Sequence, residues 1–278
     1  MTPQQLARVV EIALAEDLGR GDVTTDACVP PEVVGRCAFR ARSPLVSAGG
    51  SIIAEVFAQI DRGVVVSELV PDGTALAQGA VMAFVSGPAG SLLKGERVAL
   101  NFIQRLCGTA TLTRRFVEAL PVGSRTRIVD TRKTTPGLRA LERLAVRAGG
   151  GHNHREDLGS AVLIKDNHVA AAGGVERAIL SCRERAPHTT RIECEVDSLA
   201  QLEQALGAKA DIVLLDNFSD EMVAEAVRIN AGRAILEASG NISIARVGVL
   251  AELGIDVISV GALTHSAAAA DIGLDWEA

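Results

Sequence analysis

Tyrosine is absent from the chain, and aromatic residues together make up only 3% of it. Platforms that stack the bases of single-stranded nucleic acid need several exposed rings, so that class of function is excluded. Positive charge is not in excess either: 28 Lys and Arg stand against 34 Asp and Glu, a formal net charge of −6. A general nucleic-acid surface would show the opposite balance. No apolar run reaches the length of a membrane span. The N-terminus turns acidic early and lacks a basic segment followed by an apolar one, so no export signal is expected. The five cysteines (Cys28, Cys37, Cys107, Cys182, Cys194) are odd in number and include no CxxC. Free thiols in a reducing cytoplasm are the expectation, rather than disulfides or a metal cluster. Walker A, GxGxxG and an adjacent Asp pair after a strand are all missing, so the common nucleotide loops do not apply.

What remains is a chain of 278 residues, 48% hydrophobic and 22% charged, long enough for one large α/β barrel or two domains. An amphipathic helix is expected over residues 1–18, broken at Gly19 to Asp22. From Val33 to Gly87 the texture is of short β-like runs divided by turns such as Pro71-Asp72-Gly73. The end of this stretch, residues 70–87, resembles the sheet of biotinyl and lipoyl carrier domains. It lacks the exposed hairpin lysine that those domains modify, so it reads as a structural β-unit. A long helix follows from Ser91 to about Leu120, with Gly108-Thr109 as a candidate interruption.

From Arg127 onward β and α patterns alternate. Strands are expected at 128–129, 161–164, 191–196, 211–215, 234–237 and 257–260. Helices are expected at 137–148, 174–185, 199–206, 220–230 and 244–253, with Ser198 and Ser219 as N-caps. Repeats of this kind argue for a parallel sheet, open or closed as an incomplete barrel. The residues trailing the strands are Arg132/Lys133, Lys165/Asp166, Glu195/Asp197, Asp216/Asn217, Glu237/Ser239/Gly240 and Gly261/Thr264/His265. Charge gathered at the C-terminal ends of buried parallel strands is where such folds place active sites.

The chemistry is densest in residues 130–168, DTRKTTPGLRALERLAVRAGGGHNHREDLGSAVLIKDNH. This is a basic island in an acidic chain, suited to a small, highly anionic ligand. The early strands supply cations (Arg132, Lys133, His154, Arg155, Lys165) for carboxylates or phosphates. The middle strands supply Glu195 and Asp216, suited to sugar hydroxyls or to a Mg²⁺ carried by a polyphosphate. The late strands supply Ser239-Gly240 and Gly261-Ala262, where backbone N–H groups can approach a phosphate. Plainer readings hold elsewhere. Arg139, Arg143 and Arg147 fall on one helix face and read as solvated. His152 and His154 form an HxH, but the neighbouring Arg155 opposes a metal. His168 serves equally well as a structural hydrogen-bonder. Cys194 lies on the strand face opposite Glu195, which argues against a nucleophile.

That central stretch, with GERVALNFIQRLCGTAT before it and IECEVDS, LLDNFS, EASGNIS and VGALTHS after it, resembles the quinolinate phosphoribosyltransferases, from EDLGRGDVTT to GALTHSAAAADIGLD. The resemblance implies an N-terminal α/β sandwich domain (1–110) and a C-terminal incomplete, TIM-like α/β barrel (111–265), with the tail 266–278 packing back on the first domain. It implies a cytoplasmic homodimer, or a multiple of it, that makes nicotinate mononucleotide, CO₂ and pyrophosphate from quinolinate and phosphoribosyl pyrophosphate with Mg²⁺, in NAD synthesis. By the same resemblance Arg132, His154, Arg155 and Lys165 bind the quinolinate carboxylates, and Arg97 arrives from the partner subunit. Lys133, Lys165, Glu195, Asp216, Ser239, Gly240, Gly261 and His265 fall on the phosphoribosyl pyrophosphate side, with Mg²⁺ near Glu195 and Asp216. Lys165, Glu195 and Asp216 are the catalytic candidates. The rivals are a nicotinate-specific or molybdate-transport-linked relative of the same fold, and a non-catalytic metabolite-binding protein. The lysine in LIKDNH favours the quinolinate reading over the transport-linked one.

Overall fold

A computed structural model describes residues 1–277. In chain order the elements are α1 (Pro3–Leu18), α2 (Val23–Cys28), β1 (Val34–Ala41), β2 (Leu45–Val46), α3 (Gly50–Ile60), β3 (Val65–Ser67), β4 (Ala75–Leu76), β5 (Val81–Pro88), α4 (Ala89–Glu118) and β6 (Arg127–Val129). Then follow α5 (Arg139–Ala148), β7 (Val162–Ile164), α6 (Asp166–Ala172), α7 (Val175–Arg185), β8 (Ile192–Val196), α8 (Leu199–Gly207), β9 (Ile212–Asp216), α9 (Asp220–Asn230), β10 (Ile235–Ser239), α10 (Ile244–Glu252), β11 (Val257–Ser259), α11 (Ala262–His265) and β12 (Ile272–Trp276). They form two compact units: Met1–Arg114 with Thr134–Gly150 and the chain from Leu263, and Arg115–Lys133 with Gly151–Ala262.

The first unit is built on an antiparallel sheet in the order β12-β1-β5-β3. The C-terminal strand pairs with β1 from Cys37 opposite Trp276 to Ala41 opposite Ile272. Helix α1 begins in a capping box: Gln5 N–H donates to Thr2 Oγ1 and Thr2 N–H donates to Gln5 Oε1. The core gathers Phe39 of β1, Ile53 and Phe57 of α3, and Leu92, Ile103 and Leu106 of α4. Helix α3 was expected as β-like texture. Its β-branched Ile52, Ile53 and Val56 favour strands locally, yet with Phe57 they form one buried helical face, and burial overrides propensity.

Helix α4 also departs from expectation, because Gly108 does not interrupt its 30 residues. A Cβ at Gly108 would sit 2.0 Å from the Ala268 carbonyl oxygen, so the glycine serves the close approach of another backbone segment. By its contacts the segment 134–150 groups with the first unit. Its anchor is Glu142, fully buried, which accepts from Thr135 N–H (3.0 Å), Thr135 Oγ1 (2.7 Å) and Arg105 (2.8 Å). Arg105 also donates to the Thr264 carbonyl.

The second unit holds all six strands expected after Arg127, in one parallel sheet ordered β6-β11-β10-β9-β8-β7. Ser198 and Ser219 cap α8 and α9 by accepting from Gln201 and Met222 N–H. The register aligns the strand ends: Ser239 of β10 lies opposite Asp216 of β9, and Ser259 of β11 lies opposite Val129 of β6. β6 and β7 are the two edges, and beyond β6 a single parallel bridge joins Val129 to His152. The barrel is therefore incomplete, with a fragment of irregular strand along one edge.

The Arg105–Glu142 pair gives a test. Arg105→Ala leaves a carboxylate buried with its charged partner gone, which should cost about 3 kcal/mol. Urea denaturation should show the midpoint falling accordingly; a loss below about 1 kcal/mol would contradict the role given to this pair.

Candidate active site

At the aligned C-terminal ends of the strands lies a cavity of about 530 Å³, wholly within the second unit. Nine of the twelve residues singled out from sequence line it: Arg132, Lys133, His154, Arg155, Lys165, Glu195, Asp216, Ser239 and Gly240. The cations come from the end of β6, the loop that follows His152, and the end of β7. The carboxylates come from β8 and β9, and the small residues from the end of β10.

The loop carrying His154 and Arg155 has no helix or strand of its own, and a carboxylate holds it. Asp130, fully buried just past β6, accepts from His154 N–H (2.8 Å) and Asn153 Nδ2 (2.6 Å). His152 N–H donates to the Ile128 carbonyl, and its own carbonyl accepts from Asp130 N–H. Arg155 donates to the Ala161 carbonyl (3.1 Å), so the loop is tied to the start of β7 as well. Burial, and then the nearby Arg132, lower the Arg155 pKa from its ordinary value. The two guanidinium groups are thus near enough to feel each other's charge, an arrangement that suits an anionic ligand.

Lys165 stands between β7 and α6 with its ammonium on Glu195 Oε2 at 2.5 Å. His168 is structural: its Nδ1 accepts the Lys165 N–H at 2.9 Å, which fixes the start of α6. Asp216 ends β9, and Asn217 Nδ2 donates to its Oδ2 at 2.9 Å. Asn217 takes a left-handed backbone conformation (φ 56°), and its N–H donates to the Ser239 carbonyl. The Asn217 side chain fills the space beside Gly240, where a Cβ would lie 2.2 Å from Oδ1. Gly240 itself has φ 94°, so glycine is required there twice over.

Glu193 was not singled out from the sequence, and Glu237 was noted only among the residues trailing its strand. Glu193 of β8 and Glu237 of β10 are both buried, and both face the His154 Nε2 edge. The distances are 3.2 Å to Glu193 Oε2 and 3.6 Å to Glu237 Oε1. Burial lowers the His154 pKa, but the Glu193 hydrogen bond and the two carboxylate charges outweigh it, and the net shift is upward. The available signal was alternation: Glu193 shares a strand face with Glu195, and a charge inside an apolar strand needs a partner. Cys194, on the other face, has its thiol pushed up to about 12 by burial and is no nucleophile.

Arg97, Gly261 and His265 do not line this cavity. Arg97 is an exposed residue of α4, Gly261 follows β11, and His265 ends α11 with Nδ1 beside Ser266 Oγ at 2.6 Å. The donor sets that suit a divalent ion are the carboxylates Glu195 and Asp216, and the trio His154, Glu193 and Glu237, whose ligating atoms all lie within 4.8 Å of one another. No helix among the described residues is long and apolar enough to cross a membrane.

Comparison with known proteins bears on the whole chain. Residues 22–107 match the quinolinate phosphoribosyl transferase N-terminal domain, and residues 109–275 match the C-terminal domain of the same family. The nicotinate-nucleotide pyrophosphorylase [carboxylating] of Mycobacterium leprae is 44% identical, covering 95% of this chain and 94% of its own. The human enzyme of that name is 40% identical, covering 99% and 92%. Among solved structures, NadC from Streptococcus pyogenes superposes with a TM-score of 0.94 at 41% identity, covering 100% of this chain and 99% of its own. The nicotinate-nucleotide pyrophosphorylase of Francisella tularensis gives 0.95 at 38% identity, covering 100% and 98%. With both domains matched in order and the cavity at the strand ends intact, this chain belongs to the quinolinate phosphoribosyltransferase family.

Proposed function

We propose a division of labour in the cavity that follows its division of charge. The reaction is transfer of the phosphoribosyl group of phosphoribosyl pyrophosphate to quinolinate with decarboxylation, giving nicotinate mononucleotide, CO₂ and pyrophosphate for NAD synthesis. One observation carries this reading to the site: the cavity lining combines the cations Arg132, Lys133, His154, Arg155 and Lys165 with the carboxylates Glu195 and Asp216 and the small residues Ser239 and Gly240.

Arg132, His154, Arg155 and Lys165 hold the quinolinate carboxylates, the guanidiniums offering paired N–H donors. Lys133, Ser239 and Gly240 face the phosphates, with Gly261 and His265 assigned to the same ligand by family resemblance. Glu195 and Asp216 face the ribose. As pyrophosphate leaves, positive charge develops at the sugar carbon, and two carboxylates near it stabilise that charge. The quinolinate nitrogen then bonds to the sugar carbon and becomes a pyridinium. That ring accepts the electron pair released when the adjacent carboxylate departs as CO₂, and the carbon it leaves then takes up a proton, for which the Lys165 ammonium is the candidate donor. Cations on the departing carboxylate oppose its loss, so the strongest contacts belong on the carboxylate that stays.

Mg²⁺ is the cofactor of this proposal. The carboxylate oxygens of Glu195 and Asp216, hard ligands at the ends of adjacent strands, fit it, and the ion would neutralise charge on the leaving pyrophosphate. The exposed Arg97 is proposed to complete the site of a partner subunit in a homodimer, and five free thiols accord with a cytoplasmic setting.

Incubation with phosphoribosyl pyrophosphate, Mg²⁺ and either quinolinate or nicotinate tests the reaction. CO₂ release with quinolinate and no turnover of nicotinate is expected; turnover of nicotinate alone, or of neither, refutes it. Lys165→Ala and Arg132→Ala should each lower kcat/KM by a factor of at least about 100 while the thermal melting curve stays in place. Near-normal activity in either variant removes that residue from the site. Mixing inactive Arg97→Ala with inactive Lys165→Ala should restore about a quarter of the sites, since random mixed dimers carry one complete site of two. No recovery on mixing would refute the shared site.

A further inference from the structure

Glu193 and Glu237 lie beneath the cavity and have no part in the roles assigned so far. Each is nearly inaccessible to solvent, at 4% and 3% exposure, and both meet the same edge of His154. One imidazolium N–H can satisfy one carboxylate. It is directed at Glu193, with 3.2 Å to Oε2, and lies 3.6 Å from Glu237 Oε1, which it does not reach as a hydrogen bond. The buried Ser259 hydroxyl, from the neighbouring β11, is the other donor beside the Glu237 carboxyl. Two buried carboxylates a few ångströms apart cannot both be ionised against one positive charge without a large desolvation cost.

We propose, on the reading of the site given above, that Glu237 is a positioning residue acting through His154, and that the Glu193–His154–Glu237 cluster retains a proton on Glu237 for the dicarboxylate substrate to bind. With that proton in place the cluster is one imidazolium, one carboxylate and one carboxylic acid. It is neutral overall, and the His154 charge is available to the substrate. Without the proton, a second buried anion stands directly under a ligand that is itself doubly negative. Glu237 is part of the cavity lining, so the repulsion is felt at short range.

The surroundings agree. Burial, and then the charge of Glu193, push the Glu237 carboxyl up to about 7, while His154 and then the Ser259 hydroxyl pull the other way. The other charged groups of the cavity are Arg155, which acts on His154, Arg132, which acts on Arg155, the Lys165–Glu195 pair, Lys133 and Asp216. The same trio has the donor set of a divalent-metal site, but the guanidinium neighbours oppose a cation there, and a proton balances the charge more cheaply.

The sign follows from linkage. A bound dianion favours protonated Glu237, so the complex binds more protons than the free protein. Affinity is full below the Glu237 pKa and falls as pH rises through it. The test is the pH profile of kcat/KM for quinolinate, read by CO₂ release at saturating phosphoribosyl pyrophosphate from about pH 6 to about pH 9. Wild type should break near pH 7 and then fall roughly tenfold per unit. Glu237→Gln holds an amide where the acid was, and should show no break near 7. Glu193→Gln removes the repelling charge and should move the break to lower pH, which a purely structural role would not do. A flat wild-type profile, an unchanged break in Glu237→Gln, or an unmoved break in Glu193→Gln overturns the proposal while the functional reading stands. Absence of CO₂ release by wild type at every pH overturns the functional reading first and this one with it.

Discussion

A carboxylate out of water needs donors or a counter-charge within hydrogen-bond distance, and this requirement organises the site. Asp130 meets it with the His154 N–H and the Asn153 side chain. Glu193 meets it with the His154 ring. Both carboxylates sit on or beside strands whose positions are fixed by the parallel sheet, so the rigid part of the fold grips an irregular loop from two sides. His154 is held by its backbone from one and by its side chain from the other. Arg155 comes with it, one residue further along. The cationic wall of the cavity is therefore a consequence of buried anions beneath it. Replacing those anions with apolar residues would leave the strands paired but the loop unanchored.

The same dependence explains what was legible in the sequence and what was not. All six barrel strands could be read because each is a short apolar run, and the charged residues that follow them mark the C-terminal ends. Arg132, Lys133, Lys165, Glu195, Asp216, Ser239 and Gly240 followed from that rule, and His154 and Arg155 from the basic cluster between the first two strands. Glu193 escaped it because it lies within its strand, where a charge looks like an exception until its partner is known, and Glu237 was noted at its strand end without a role. Helix α3 escaped because β-branched residues at helical spacing carry two contradictory signals, and only the packing of Ile53 and Phe57 decides between them. Segment 134–150 has the periodicity of a barrel helix and lies within the C-terminal family match, yet the buried bond from Arg105 to Glu142 ties it to the first compact unit, and no local pattern announces a pairing 37 residues apart. Arg97 was named only through family resemblance, and an exposed arginine on a long helix carries no local sign of a role.

At the opposite wall the constraint is backbone rather than charge. Asn217 and Gly240 both take left-handed conformations at the ends of adjacent strands, and each conditions the other. The asparagine side chain occupies the space that any Cβ at position 240 would need, and it also donates to Asp216. A single contact thus sets the orientation of a carboxylate and leaves the backbone after Ser239 open to a ligand. Small residues here are not generic loop material, because the geometry they permit decides whether N–H groups can reach a phosphate.

The two walls also share their charges. Lys165 and Glu195, at the ends of the neighbouring β7 and β8, are partnered with each other, although the proposed roles give Lys165 to a carboxylate and Glu195 to a sugar. Binding either ligand in those roles means exchanging this ion pair for contacts with the substrate. Glu195 is the more enclosed member, at 16% side-chain exposure against 47% for Lys165, so losing its partner costs it more. In the proposed roles, a ligand that takes Lys165 alone would leave Glu195 without its cation, and filling the sugar side as well would restore a partner to it.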